Sequence, residues 1–266
     1  MKNRKIQFEY LRVLGLALVV MYHYFYRYNE IYDQDNLRNT FGIKYWGIIG
    51  VSIFFMLFGY FILPKKSEKA IHFLIRKMKK LIPLYVISLI IIYFTLSIIT
   101  LEGRSVSFVD LVLNITLING YINTAYVDGA HWYLTIIFSS IFLIFLLTLF
   151  KKQNSVNWYI VWAIVATFFY SYRTEVNFIN LFLAGFSKIL GSRYVLLINL
   201  GITLRLFQDK QINIFGITCV SIIITSMIML VFPVTETCIY ILVYTTIIIT
   251  SFLNCKPSSK SEPLRQ

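Results

Sequence analysis

Hydrophobic positions along this chain come in long blocks rather than in alternation with polar ones. The blocks are Phe8–Tyr28, Tyr45–Leu63, Leu81–Leu101, Trp132–Phe150, Asn157–Tyr172, Ile214–Phe232 and Cys238–Leu253. Most approach the ~20 apolar residues that a helix needs to cross a bilayer. A transmembrane barrel would show short segments of alternating apolar and polar residues, and none is seen. Between Arg173 and Phe207 lie two shorter apolar runs, Phe178–Leu190 and Val195–Phe207. A further apolar stretch, Phe108–Ile118, sits inside the weakly charged Glu102–His131 segment and predicts a short interfacial or re-entrant helix. The pattern predicts an all-α fold, a polytopic bundle of transmembrane helices.

Composition agrees: of 266 residues, 58% are hydrophobic and 14% charged, against about a quarter charged in soluble domains. Mean hydropathy is +0.71. A net charge of +13 would suggest nucleic acid in a soluble protein. Here the cations gather between the apolar blocks, as the positive-inside rule expects, so a lipid bilayer and no nucleic acid is the implied partner. The densest group is Lys65, Lys66, Lys69, Arg76, Lys77, Lys79 and Lys80, opposed only by Glu68. It places the second connection in the cytoplasm, together with Lys2, Arg4 and Lys5, with Lys151 and Lys152, and with Lys256, Lys260 and Arg265 of the tail. Two cytoplasmic termini require an even number of crossings. One crossing is therefore assigned to the 173–207 region, with Arg205 and Lys210 at the inner face, making eight spans. The expected organisation is one transmembrane domain, 1–253, and a polar cytoplasmic tail, 254–266. Pro83 is placed in the first turn of the third span, where a missing N–H costs little.

The first block carries the chemistry. Arg12 and His23 lie within it, and ionisable groups at membrane depth are costly enough to suggest function. Eleven helical residues return to within about 20° of the same face over a rise of about 16 Å. Arg12 and His23 therefore share one face. Two readings stand for each. His23 is a functional intramembrane group, or a buried polar residue bridging helices or a snorkelling interfacial group. Arg12 contacts an anionic ligand, or snorkels to the interface. Cys219, Cys238 and Cys255 have no metal or disulfide spacing, and His23, His72 and His131 lie on separate segments, so no metal site is expected. There is no Gly-x-Ser-x-Gly and no phosphate-cradling glycine loop.

Four motifs fall in one order: Arg12, ten residues, His23; Gly50-Val51-Ser52-Ile53-Phe54-Phe55-Met56-Leu57-Phe58-Gly59-Tyr60; Arg76-Lys77-Met78-Lys79-Lys80-Leu81-Ile82-Pro83; and His131-Trp132-Tyr133-Leu134. In this the chain resembles the acyltransferase 3 family of bacterial integral membrane O-acyltransferases, well over residues 5 to about 150 and as a hydrophobic profile beyond. The resemblance implies a bacterial cytoplasmic-membrane enzyme that takes an acyl group, acetyl above all, from cytoplasmic acyl-CoA. The acceptor would be a hydroxyl of an exported glycan or lipid-linked glycan, such as capsule or exopolysaccharide. It implies His23 as the catalytic residue, a base or nucleophile kept neutral by burial, and Arg12 as its donor-side partner, with acyl-CoA (acetyl-CoA) a donor substrate rather than a resident cofactor.

Where the family usually has two arginines ahead of the proline, this chain has Lys77 and Lys80, with Arg76 adjacent. These three are the candidate CoA-phosphate contacts, with topology anchoring as the alternative. Lysine keeps the charge but loses the bidentate fork. His131 and Trp132 are candidate acceptor contacts, with an interfacial aromatic belt as the alternative. Asp128 and Glu175 are further candidates, with surface solvation the default. The family commonly has about ten spans and a late Gly…Ser-Tyr…Leu-His signature, so a member lacking the last two spans is expected. The rival readings are an inactive truncated acyltransferase and a small-solute transporter with Arg12 and His23 in its pathway. No internal repeat supports the transporter.

Overall fold

The structure, a computed structural model, describes residues 6–28, 30, 42–65, 67–99, 107–122, 124–172 and 178–253, with the side chains of 178–182 excepted. Lys2, Arg4, Lys5, Lys66, Leu101, Glu102, Arg173, Glu175, Cys255 and the 254–266 tail with Lys256, Lys260 and Arg265 lie outside the described residues.

Every regular element among the described residues is helical: α1 (Ile6–Tyr22), α2 (Lys44–Ile62), α3 (Ala70–Ile98), α4 (Phe108–Ile115), α5 (Asn119–Ile122), α6 (Trp132–Leu149), α7 (Val156–Ser171), α8 (Phe178–Ile189), α9 (Val195–Gln208), α10 (Ile214–Val231) and α11 (Val234–Phe252). α1 runs on into a π-helical turn, His23–Arg27, and a 3₁₀ turn, Gly129–His131, leads into α6. The all-α reading is therefore what the chain adopts. Among the described residues, six helices are long and apolar enough to cross a membrane: Ile6–Arg27, Lys44–Ile62, Ala70–Ile98, Gly129–Leu149, Ile214–Val231 and Val234–Phe252. The fifth predicted span corresponds to α7, a shorter apolar helix, and the 173–207 region holds α8 and most of α9, the latter another shorter apolar helix.

Third-span residues depart from expectation. α3 begins at Ala70, so the basic residues Arg76 to Lys80 form its opening turns and Pro83 lies in its interior. Ala70, Leu74, Arg76, Lys77, Met78, Lys79 and Lys80 are all good helix formers, which carries the helix back into the charged segment. Pro83 then removes one intrahelical bond, that to the Lys79 carbonyl.

The chain divides into two compact units, one of Met1–Leu57 with Val234–Gln266 and one of Phe58–Pro233. In the first, α1 packs on α11, and it meets α2 through glycines. A Cβ on Gly50 would lie 2.6 Å from the Gly15 carbonyl oxygen and 2.6 Å from Val19 Cγ2. One on Gly47 would lie 2.7 Å from the Tyr22 ring. Bare glycine backbones let the two helices approach, as small residues do at helix interfaces in membranes.

In the second unit, α9 is buried on all sides from Val195 to Leu204 and packs on α7 and α10. Its backbone also meets α2, where a Cβ on Gly59 would stand 2.0 Å from the Ile198 carbonyl oxygen. Tyr85, Leu89, Leu111, Val127 and Leu134 form the core between α3, α4 and α6. α4 opens on a capping box, with the Asp110 amide donating to Ser107 Oγ at 3.1 Å and the Ser107 amide to Asp110 Oδ2 at 3.1 Å. Its buried side holds Leu111 and Asn114, while Phe108, Val109 and Val112 face outward, a surface suited to lipid.

Gly50→Ala must push α1 and α2 apart, because the obstructing atom is backbone. Its expected cost is about 1–3 kcal/mol, read as a lowered thermal midpoint in detergent. Gly185→Ala is the control: a Cβ there meets nothing within 4 Å, and the midpoint should stay level or rise.

Candidate active-site residues

In the first unit, α1 presents a packing stripe of Leu11, Gly15 and Tyr22. Arg12 and His23 each follow a stripe residue by one position, so both fall on the strip of helix surface beside it. The helix keeps its α-phase up to Tyr22, which preserves the shared face. Tyr22 sets the local geometry at His23. Its ring lies over Gly47, stacks on Tyr26 with centroids 5.5 Å apart, and meets the imidazole edge-on at 5.3 Å.

His23 opens the π-turn, its carbonyl accepting from the Tyr28 amide five residues on. Such single turns recur at functional sites. The expectation that protein burial holds His23 neutral is not met: the side chain is exposed, because it lies one position off the packing stripe. Arg12 Nη1 donates to Glu9 Oε1 at 2.7 Å, with both side chains 38% exposed.

In the second unit, the basic cluster is divided in its commitments. Arg76 donates from Nε and Nη2 to the two oxygens of Glu68, each at 2.6 Å. The Lys65 amide adds a third bond to Glu68 Oε2 at 2.9 Å. The Arg76 bonds, ahead of the Lys65 amide, pull the Glu68 carboxyl down to about 2. Lys77 Nζ donates to the Phe61 carbonyl at 3.2 Å, capping one of the open carbonyls in the last turn of α2. Lys79 and Lys80 are exposed.

His131 and Trp132 part company although they are adjacent. His131 is buried, edge-on to Tyr85 at 5.2 Å, with Nε2 3.8 Å from Asp128 Oδ2 and no hydrogen-bond partner for Nδ1 among the described residues. Trp132 is half-buried against Tyr194, centroids 4.9 Å apart, and Tyr133 is exposed. Tyr194 in turn meets Phe232 at 5.6 Å, and the Arg193 guanidinium lies over Phe232 at 4.4 Å while donating to the Val231 carbonyl.

Sequence reasoning did not find Glu68 as the partner of Arg76, although its being the lone acid among seven cations was a signal. Gly47 beside Gly50, small residues three apart in an apolar block, signalled the close approach that holds Tyr22. Nothing local marked Arg193 or Tyr194.

Against known families, the model of the acyltransferase domain matches residues 5–262 of the 266. The chain belongs to this family, and its apolar helices make it a multi-pass membrane acyltransferase. The match covers the second half of the chain, where the sequence motifs carried only a hydrophobic profile. No similar curated protein and no similar solved structure was found.

The Glu68 carboxyl titrates lower in the folded chain than its ordinary 4.5, so its contribution is present above that value and is lost as pH falls toward about 2. The thermal midpoint of the wild type should exceed that of Glu68→Gln at neutral pH. The gap should close between about pH 4.5 and pH 2, followed by circular dichroism.

Proposed function

We propose that the chain passes an acyl group, acetyl in the simplest case, from cytoplasmic acyl-CoA to a hydroxyl of an exported bacterial polysaccharide such as capsule or exopolysaccharide. The observation that supports this reading best is the exposed His23 imidazole, held by Tyr22 at the opening of the π-turn on the same strip of α1 as Arg12.

Acyl transfer from a thioester needs a base for the hydroxyl proton, and a neutral imidazole is suited to that near pH 7. His23 takes the proton, the alkoxide oxygen bonds to the thioester carbon, and the carbon–sulfur bond breaks. The departing thiolate recovers the proton from the imidazolium. An acyl-imidazole intermediate on His23 satisfies the same balance in two steps.

Arg12 exchanges Glu9 for a phosphate of the donor. In the second unit, Lys80, exposed on α3 with Arg76 and Lys77 close to it in sequence, offers positive charge to phosphates of the donor. Trp132 offers a partly open ring for a sugar face, next to His131. The basic opening of α3 faces the cytoplasm in this arrangement, as the positive-inside rule requires.

The test is expression in a host lacking glycan O-acetylation, with acetyl ester on surface polysaccharide measured by NMR. Wild type should yield ester, and His23→Ala should lose about 10²–10⁴-fold in rate with an unchanged thermal midpoint, because the side chain is exposed. Ester formation surviving in His23→Ala would overturn the assignment. Arg12→Ala should raise KM for acetyl-CoA more than it lowers kcat.

A further inference from the structure

Between Pro64 and Ile99 the chain has one acid, Glu68, among Lys65, Lys66, Lys69, Arg76, Lys77, Lys79 and Lys80. That single carboxylate occupies the best anion-binding geometry in the segment. The Arg76 fork meets both of its oxygens at 2.6 Å, and the Lys65 amide closes on Oε2 at 2.9 Å. The turn that brings it there is short, with the Glu68 amide donating to the Lys65 carbonyl at 3.0 Å. Two parallel guanidinium donors and one amide form the donor set that recognises phosphate as well as carboxylate.

The cradle is largely covered but not closed. Arg76 and Glu68 side chains are 28% and 10% exposed. Lys65 and Lys69 flank it in sequence with exposed side chains. The surrounding cations outnumber the one charge that Glu68 supplies. A phosphate monoester carries about −1.5 to −2 near pH 7, so it answers that surplus better than a carboxylate does.

We infer that Glu68 is a built-in stand-in for a phosphate of the acyl donor: it fills the Arg76 cradle in the resting protein and is displaced when the donor binds. The inference rests on the proposed use of a phosphate-bearing donor. Glu68 is then a specificity-determining residue of the donor site. It keeps the Arg76 fork ordered, and it sets a threshold that weak monoanions do not cross.

The full-length chain in lipid nanodiscs is titrated calorimetrically with acetyl-CoA and, separately, with inorganic pyrophosphate. Glu68→Gln, which keeps the shape and removes the charge, should bind both probes about fivefold more tightly than wild type. The gain should vanish in the Glu68→Gln, Arg76→Gln double variant. Glu68→Asp, too short to span the fork, should show a smaller gain and serves if the glutamine variant does not fold. If acetyl-CoA binds neither chain while pyrophosphate keeps the Glu68-dependent gain, the cradle stands and the acyl-CoA reading falls. Unchanged affinity for both probes overturns the inference. Weaker binding by the variants also overturns it, and makes Glu68 a positioning residue for Arg76.

Discussion

Within hydrocarbon no water is at hand to satisfy a backbone N–H or C=O, and an unpaired group there costs several kcal/mol. Helices meet that demand internally, so the irregular stretches are where this fold has to work for its stability. The segment between α4 and α6 shows how. Asn114 is fully buried and serves it from every polar atom of its side chain. Its Nδ2 donates to the Asp110 and Ala125 carbonyls at 2.7 and 2.9 Å, while Oδ1 accepts from Asn119 Nδ2 at 3.1 Å and the Val127 amide at 3.2 Å. Tyr85 then donates to the Asn114 carbonyl at 2.7 Å and ties the segment to α3. Trp162 does the same for the turn after α8, donating Nε1 to the Leu190 carbonyl at 2.8 Å. These side chains make non-helical backbone tolerable beside apolar helices.

Once backbone demands are met, helix association rests on close fit, because lipid tails compete evenly with apolar side chains. Glycines decide the fit at both ends of α2, Gly47 and Gly50 against α1 and Gly59 against α9. The first of these contacts matters for chemistry as well as packing. Gly47 has no side chain, so the Tyr22 ring settles on its backbone, and the imidazole of His23 inherits its surroundings from that ring. Gly47, without a side chain of its own, thus fixes the setting of an imidazole it does not itself touch through any side-chain contact.

How much of this was legible beforehand follows the range of the interactions involved. The spans were readable because hydrophobic length is a local property. The shared face of Arg12 and His23 was readable because helical phase is local too. The start of α3 was not, since charge was weighed for topology while the helix propensity of the same residues was left aside. The burial of His131 depends on Tyr85, forty-six positions earlier, and the platform under Trp132 on Tyr194; no periodicity encodes such partners. The pairing of Arg76 with Glu68 spans eight residues and a tight turn, short in sequence but invisible until that turn closes.

Pro83 was expected to mark where a helix begins and instead lies inside one. Its missing N–H leaves the Lys79 carbonyl without its usual intrahelical donor. Four cations precede it within two turns, and an apolar stretch follows it. That carbonyl can reach for water only if water is still present at its level. The proline therefore sits at the seam of α3, where a charged opening gives way to an apolar rod.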